Sequence, residues 1–366
     1  MKALSRRRKS IFSLQSLDPV SRCDAALPTF AKDKIQLPMV RLELATPFLE
    51  AAFAAGANLR DALAPFGITP DHFGNHDQFV TAPTMYDLVE CLAELTDDPY
   101  CGVHLGEALD PLSWSPLAEA SRLARSVGDL LLRFSIDAYK DANSVEFRLE
   151  TRGSRTTFTE NRLTDGGRLP RHNDGFGAAY VIAILRAALG ANWDGSQVVA
   201  GVCDPAVFPP GYHSIKLAQT DTSGFSVSFP SAWLLLQPQL KHGARPHTRT
   251  LPRSQAPEDT LLALRYILEA HLHEPGLDTG RVAQLCGVSK RTLVRRLSEL
   301  GTSLKAELDQ LRMARAKALL REGKQSVAQV GLNLGYSDAS VFSRAFKRWT
   351  GQTPRAFRET FNRDGQ

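Results

Sequence analysis

The sequence of 366 residues is poor in cysteine and contains no long hydrophobic run. Its five cysteines are widely spaced and include no CxxC pair, which favours reduced thiols in a cytoplasm over a disulfide framework. No apolar run approaches the roughly 20 residues that a membrane-spanning helix needs. The basic amino terminus lacks the apolar core and cleavage site of a secretory signal, so we expect a cytoplasmic protein without a membrane partner.

Motifs of the common catalytic sites are absent as well. There is no phosphate-binding glycine loop, no GxSxG and no Ser–His–Asp order. In "DHFGNHD", His72 and His76 are spaced like metal ligands, but the residues between them indicate a loop and no third ligand is evident. The sequence therefore predicts no catalytic residues, no metal and no other cofactor.

Basic charge is concentrated near the carboxy terminus. Residues 277–366 contain 17 Lys and Arg against 8 Asp and Glu, a net charge of +9. The preceding residues contain 27 against 31, a net charge of −4. Such asymmetry is typical of a chain in which one domain binds a polyanion.

Changes of periodicity divide the chain into four segments. Residues 1–40 are polar and aperiodic, and we expect them to form a flexible basic extension. Residues 41–237 mix helical and strand-like periodicity, which predicts a domain of mixed α/β class. The proline-rich residues 238–257 indicate a linker. Residues 258–362 are helical in pattern throughout and predict an all-α domain.

The middle of the α/β domain contains its clearest local patterns. Alternation near residues 145–160 and 224–230 predicts strands of a small sheet. The stretch 176–190 is apolar nearly all round and predicts a buried helix. We expect the ligand pocket between that helix and those strands, although the sequence names no ligand.

The last segment contains one structural unit twice. In "RVAQLCGVSKRTLVRRLSEL", a short helix ends at Gly287, and Ser289 can cap a second helix. In "SVAQVGLNLGYSDASVFSRAFKRW", Gly335 makes the same turn, and Asp338 or Ser337 supplies the cap. Both copies predict a helix–turn–helix, and their second helices lie 49 residues apart in the chain.

The second helices, 289–300 and 338–349, are amphipathic on a helical wheel. The faces that point away from the apolar stripe are rich in Arg and Ser, which are residue types that read base edges. The basic residues at the margins are expected to contact phosphates and hold the register: Lys290, Arg296, Lys347 and Arg348. The inward stripes are predicted to be Leu293, Leu297 and Leu300 in the first copy, and Phe342, Phe346 and Trp349 in the second.

This segment resembles the DNA-binding domain of the AraC/XylS transcriptional regulators. The resemblance is carried by "VAQLCGVSKRTLVRRL", "LRMARAKALL", "GYSDASVFSRAFKRWTG" and "TPRAFR", within residues 258–360. It implies seven helices, with a long helix at 304–321 that holds two recognition helices in successive major grooves, roughly 34 Å apart. It also implies base contacts by Arg291, Val294, Arg295, Ala339, Ser340, Ser343 and Arg344.

The amino-terminal part is similar to the arabinose-binding-type sensor domain of the subgroup that includes ornithine-utilisation regulators. The similar stretches are "LTDDPYCGVHLGEAL", residues 126–134 and "GFSVSFPSAWLLLQPQL". The resemblance implies that residues 41–237 form an effector-binding and dimerisation domain, and that the protein is a sequence-specific regulator that responds to a small-molecule effector. We expect an activator that binds double-stranded DNA as a homodimer and recruits RNA polymerase.

Two alternatives stay open on the sequence. A DNA-modifying or repair enzyme can carry the same DNA-binding module, but it needs a reactive cysteine, and Cys203 in "GVCDPAVF" has no adjacent cation. A ligand-independent repressor or architectural protein is the second alternative, and an amino-terminal domain that binds no metabolite would favour it. The sequence does not distinguish repression from activation.

Overall fold

The structure of the protein is a computed structural model that describes residues 37–75, 77–164, 167–240, 256 and 260–363. The predicted extension up to residue 36 and most of the predicted linker lie outside the described residues. The described chain forms a mixed α/β amino-terminal domain and an all-α carboxy-terminal domain. The predicted fold class is therefore confirmed.

The amino-terminal domain combines two sheets with seven helices among its described residues. Its strands are β1 (Met39–Arg41), β2 (Phe79–Thr81), β3 (Val145–Arg152), β4 (Arg155–Arg162), β5 (Val199–Val202), β6 (Lys216–Gln219) and β7 (Gly224–Pro230). Its helices are α1 (Thr46–Ala54), α2 (Leu59–Leu63), α3 (Ala82–Glu94), α4 (Cys101–Ala108), α5 (Ser115–Leu123), α6 (Val127–Ala138) and α7 (Arg171–Leu189).

Five strands form the larger sheet in the order β3-β4-β7-β5-β6. The pairs β3–β4, β4–β7 and β5–β7 are antiparallel, whereas β5–β6 is parallel. The predicted strands near 145–160 and 224–230 are present. Strand β6 was not predicted, because it lies at the sheet edge and most of its side chains are exposed, so it lacks the alternation that marks a half-buried strand.

Helix α7 is buried in the amino-terminal domain, as predicted for residues 176–190, but it begins earlier, at Arg171. By length and composition the segment Arg171–Asn192 is apolar enough to cross a membrane, but 67% of its most apolar window is buried inside the protein. Helix α4 lies against it, with Gly102 and Gly106 at the crossing. A Cβ atom at either glycine would overlap the backbone of His172 or Phe176, so this close helix packing requires glycine.

A buried ion pair ties α7 to the larger sheet. The guanidinium of Arg162, at the end of β4, binds both carboxylate oxygens of Asp174 in the first turn of α7, and both side chains are almost completely buried. Asp174 also accepts a hydrogen bond from the backbone N–H of Cys203 (3.4 Å), and Arg162 donates to the carbonyl of Thr222. The pair thus meets the requirement that buried charges be both paired and hydrogen-bonded.

The two-stranded ribbon of β1 and β2 connects the two domains. Met39 and Phe79 belong to a hydrophobic cluster that includes Leu264 and Leu268 of the carboxy-terminal domain, whereas Val40 packs into the amino-terminal core. Residues 37–40 are therefore buried, and the sequence was wrong to assign them to the flexible extension. Three strand residues are too few to show a period, and their burial depends on partners that are distant in the chain.

Seven helices form the carboxy-terminal domain among its described residues, in agreement with the resemblance. They are α8 (Thr260–His271), α9 (Thr279–Leu285), α10 (Lys290–Glu299), α11 (Leu304–Glu322), α12 (Val327–Asn333), α13 (Ala339–Thr350) and α14 (Pro354–Arg363). Helix α11 separates two small cores, one built around α8 to α10 and the other around α12 to α14.

We expect Asp174→Asn to lower the free energy of unfolding by about 3–5 kcal/mol, because Arg162 would keep its charge in a buried site without a counterion. The measurement is urea denaturation followed by tryptophan fluorescence. Glu150→Gln is the control, since it removes an exposed ion pair with Arg152, worth about 1 kcal/mol or less. A loss of less than about 1 kcal/mol for Asp174→Asn would contradict the structural importance of the buried pair.

Candidate nucleic-acid interface and effector cavity

Each recognition helix begins at a capped turn. Gly287 and Gly335 precede α10 and α13 with left-handed backbone angles (φ +64° and +74°). Ser289 caps α10 by accepting a hydrogen bond from the backbone N–H of Thr292 (3.1 Å). At α13 the cap is Asp338, which accepts from the backbone N–H groups of Ser340 and Val341, so of the two predicted candidates Asp338 is the one used.

The Asp338 cap is charged at neutral pH. Hydrogen bonds from the Ser340 hydroxyl and from the first backbone N–H groups of α13 lower the pKa of its carboxyl to about 2. A negative charge at a helix amino terminus is favourable. The start of the second recognition helix is therefore stable throughout the physiological pH range.

The inward stripes differ from the prediction at one position. Leu293 and Leu297 of α10 and Phe342 and Phe346 of α13 are buried, and Trp349 is half-buried. Leu300, predicted to be inward, is 44% exposed. Helix α10 ends at Glu299, so the chain turns at Leu300 and the helical wheel no longer describes its direction.

The predicted base-contacting residues lie on the outer faces of α10 and α13. Exposed among them are Arg291, Val294, Arg295, Ser340 and Arg344, whereas Ala339 and Ser343 are half-buried. Of the predicted phosphate-contacting residues, Lys290, Lys347 and Arg348 are exposed and Arg296 is half-buried. The partial burial of Arg296 lowers its pKa, and the neighbouring charge of Arg295 adds to this. Thus the structure brings most of the predicted residues to two accessible, basic helix faces.

Several of the predicted DNA-contacting side chains form ion pairs or hydrogen bonds within the protein. Arg295 lies 3.7 Å from Glu299, one helical turn away, and Arg348 reaches Asp309 of α11 at 3.1 Å. The hydroxyl of Ser343 donates to the carbonyl of Ala339 (2.7 Å). In the described part of the chain, Arg291 and Arg344 form no ion pair with an acidic residue. These two arginines are the ones most available to an external partner.

The contact between Arg348 and Asp309 was not predicted from the sequence. It joins the second recognition helix to the long helix α11 across 39 residues of chain, and no local pattern marks it. Arg344 and Arg348 line a groove between the two helix–turn–helix units, together with Lys305 and Arg312 of α11. Four basic side chains therefore surround the junction of the two units.

The amino-terminal domain contacts the first unit away from its outer face. The hydroxyl of Thr164 donates to the carbonyl of Gly287 (3.3 Å), and Pro83 lies close to the same glycine. The amino-terminal domain thus touches the turn of the first unit while the outward side chains of α10 and α13 stay exposed.

A cavity of about 380 Å³ lies inside the amino-terminal domain. It is bounded by α7 and by strands β3, β4 and β7, where the sequence predicts a pocket. Helices α1 and α3 complete its walls with Phe48 and Tyr86, which were not predicted. Most of its lining is apolar or aromatic, as is usual for small-molecule sites.

No metal site is evident among the described residues, which contain no group of three or more potential metal-ligating side chains. His72 accepts a hydrogen bond from the backbone N–H of Thr69 through Nδ1 (2.9 Å), which completes the cap of a short helix. His76 lies outside the described residues.

Comparisons with known proteins match both domains. A family model for a helix-turn-helix domain matches residues 282–360, and a model for the arabinose-binding domain of AraC transcription regulators matches residues 56–206. The ornithine utilization regulator of Pseudomonas aeruginosa is 30% identical over 42% of this chain, and the arabinose operon regulatory protein of Escherichia coli is 36% identical over 26%. The matched regions span 48% and 33% of those relatives.

Among solved structures, the transcriptional regulator CdpR from Pseudomonas aeruginosa matches 82% of this chain and 96% of its own, with 19% identity and a TM-score of 0.35. The two family models match in the order in which the two domains occur in the chain. The protein therefore combines a carboxy-terminal helix-turn-helix domain with an amino-terminal domain of the arabinose-binding type found in AraC transcription regulators.

Proposed function

We propose that the protein is a sequence-specific DNA-binding regulator of transcription. The main support is the pair of exposed basic faces on α10 and α13, which two equivalent helix–turn–helix units present beside one long helix. Helices of this kind enter the major groove with their amino-terminal residues toward the base edges. The protein acts in the cytoplasm on double-stranded DNA and has no enzymatic activity of its own.

The base contacts divide between the two recognition helices. Arg291, Arg295 and Arg344 each provide a guanidinium that can donate two hydrogen bonds to guanine. Val294 is 55% exposed and apolar, which suits a thymine methyl group. The remaining proposed base contacts are Ala339, Ser340 and Ser343, and the proposed phosphate contacts are Lys290, Arg296, Lys347 and Arg348.

A response to a small-molecule effector requires that the cavity and the DNA-binding domain influence each other. The ribbon of β1 and β2 adjoins both of them. Val40 lines the cavity, and its chain neighbour Met39 packs against the carboxy-terminal domain. A ligand that shifts Val40 would therefore also shift the contact with α8.

A hydrogen-bonded chain provides a second connection. Trp114 of the cavity wall donates from Nε1 to Asp141 (2.8 Å), and Arg41 of β1 donates from Nε to the same carboxylate (2.6 Å). The Arg41 guanidinium lies over the ring of Phe79, 4.6 Å from its centre, and Phe79 packs against the carboxy-terminal domain. This connection supports a response of DNA binding to a ligand. We infer further that the protein is an activator that functions as a homodimer and recruits RNA polymerase.

A DNA-repair enzyme that uses a reactive cysteine is disfavoured. Burial raises the pKa of the Cys203 thiol to about 12, and the neighbouring Asp174 adds to the shift. A nucleophilic cysteine needs the opposite environment, which lowers its pKa. A repressor without a ligand remains the second candidate, because the accessible recognition faces support DNA binding with or without an effector.

We expect Arg295→Ala and Arg344→Ala each to weaken binding to the preferred DNA site by about 1–3 kcal/mol, with little change on random DNA. The preferred site is first selected from a random duplex pool with the full-length protein. Fluorescence anisotropy then measures the Kd of both kinds of DNA. Arg152→Ala is the control, an exposed arginine of β3 in a similar ion pair. Equal losses on selected and random DNA would show that these arginines do not read bases.

We expect Lys290→Ala and Lys347→Ala to weaken binding to all DNA sequences alike. Each should reduce the slope of log affinity against log salt concentration by about one, because one phosphate contact and its released counterion are lost. The measurement is a salt titration of DNA affinity. Lys216→Ala, at an exposed position of β6, is the control. An unchanged slope in the two variants would contradict the assignment to phosphates.

A further inference from the structure

The cavity in the amino-terminal domain has walls that are mainly aromatic. Six of the rings are those of Phe48, Trp114, Phe134, Phe147, Tyr180 and Phe225. Trp114 and Tyr180 use their polar atoms elsewhere, on Asp141 and on the carbonyl of Pro111, so they contribute ring surface to the cavity. Such rings bind apolar groups, and their negative faces attract cations.

The charged side chains that line the cavity are all acidic. They are Glu43, Glu50 and Glu160, and the described lining includes no Lys, Arg or His. Glu50 is exposed, whereas Glu160 lies deeper and is half-buried. Acidic groups in a cleft with low-dielectric walls concentrate cations and repel anions.

Glu160 occupies the centre of the sheet wall. In the strand register it lies opposite Phe147 of β3 on one side and Phe225 of β7 on the other, and both rings also line the cavity. Its carboxylate is therefore flanked by two aromatic side chains. Within the described residues no hydrogen bond or ion pair reaches that carboxylate.

The arginine nearest to Glu160 is already occupied. Arg162, two residues along β4, binds Asp174 with both terminal nitrogens and directs Nε to the carbonyl of Thr222. Burial raises the pKa of Glu160 to about 7 although the charge of Arg162 opposes the shift. When it is ionised, the Glu160 carboxylate therefore has no counterion of its own among the described residues.

Two buried hydroxyl groups face the same space. Tyr86 and Ser144 line the cavity and are 3% and 0% exposed. Their hydroxyls lie near each other, but neither oxygen forms a hydrogen bond of normal geometry with a described residue. Thr46 also lines the cavity, and its Oγ1 atom is buried and forms no hydrogen bond with a described residue. Buried polar atoms are rarely left without partners in native proteins, so these hydroxyls indicate a polar group of a bound molecule.

We propose that the cavity binds an organic cation, a protonated amine with an aromatic or bulky apolar body, and that Glu160 is the counterion of its charge. The Tyr86 and Ser144 hydroxyls hydrogen-bond its polar end, and the rings enclose its body. An amino acid with a free carboxylate fits poorly, because the cavity lining offers no cation to that carboxylate. The role of this cation as an effector rests on the proposed function, but its binding does not.

The test compares ligands of one shape and different charge on the full-length protein. The probes are 3-phenylpropylamine, 3-phenylpropanol and 3-phenylpropionate, with 2-(1-naphthyl)ethylamine and its alcohol as a second body. Isothermal titration calorimetry gives the Kd of each. We expect at least one amine to bind ten times or more tighter than its alcohol, and we expect no binding of the carboxylate.

The substitution Glu160→Gln keeps the size of the side chain and removes its charge. We expect it to abolish the preference for amine over alcohol while the alcohol binds as before. Glu146→Gln is the matched control, because Glu146 lies on neighbouring β3 between two cavity-lining residues, is not part of the lining, and pairs with Arg148. This variant should keep the preference.

Three results would overturn the proposal: binding of neither amine at millimolar concentration, equal affinities of amine and alcohol, or an unchanged preference in Glu160→Gln. DNA affinity is measured separately, with and without the bound amine. An amine that binds through Glu160 without changing DNA affinity would leave the site intact and refute only its role as an effector. Absence of sequence-specific DNA binding both with and without the amine would refute the proposed regulator and leave the cation site standing.

Discussion

The short ribbon of β1 and β2 is the constraint on which the arrangement of the two domains depends. Val40 and Val80 are paired across the ribbon and pack into the amino-terminal core, whereas Met39 and Phe79 pack with α8. Successive residues of a strand point to opposite faces, so two or three residues suffice to join two cores. A displacement of the ribbon would therefore alter both the wall of the cavity and the contact with the DNA-binding domain.

The distribution of buried charge explains why the cavity keeps an unpaired acid. Three ionisable groups, Arg162, Asp174 and Glu160, lie close together where α7 meets the sheet, and the one arginine is occupied by Asp174 and by the carbonyl of Thr222. This pairing secures α7 against the sheet, because a buried ion pair is stable only when both partners are satisfied. Because Arg162 pairs with Asp174, Glu160 has no ion-pair partner among the described residues and lines the cavity. Stability and ligand chemistry are set by the same three residues.

In the DNA-binding domain, each recognition helix has buried positions that stabilise its unit and exposed positions on its outer face. Its inner positions, such as Leu297 and Phe346, are buried in two separate small cores, so each unit is stabilised on its own. Their relative position depends on α11 and on contacts such as that between Arg348 and Asp309. Because Arg348 already pairs with Asp309, a phosphate contact would divide its positive charge between that carboxylate and the phosphate. The spacing of the two exposed helix faces is thus coupled to the basic groove between the two units.

The sequence by itself determined the duplicated helix–turn–helix, its caps and its outward basic faces. Turns, caps and helical faces depend on residues no more than four apart, so a single sequence displays them. Only the tertiary structure decided that Leu300 is exposed, that residues 37–40 are buried and that Glu160 lies unpaired between two rings. These outcomes depend on where a helix stops and on partners as far as 100 residues away, such as Asp141 for Arg41. Periodicity carries no information about contacts at that separation.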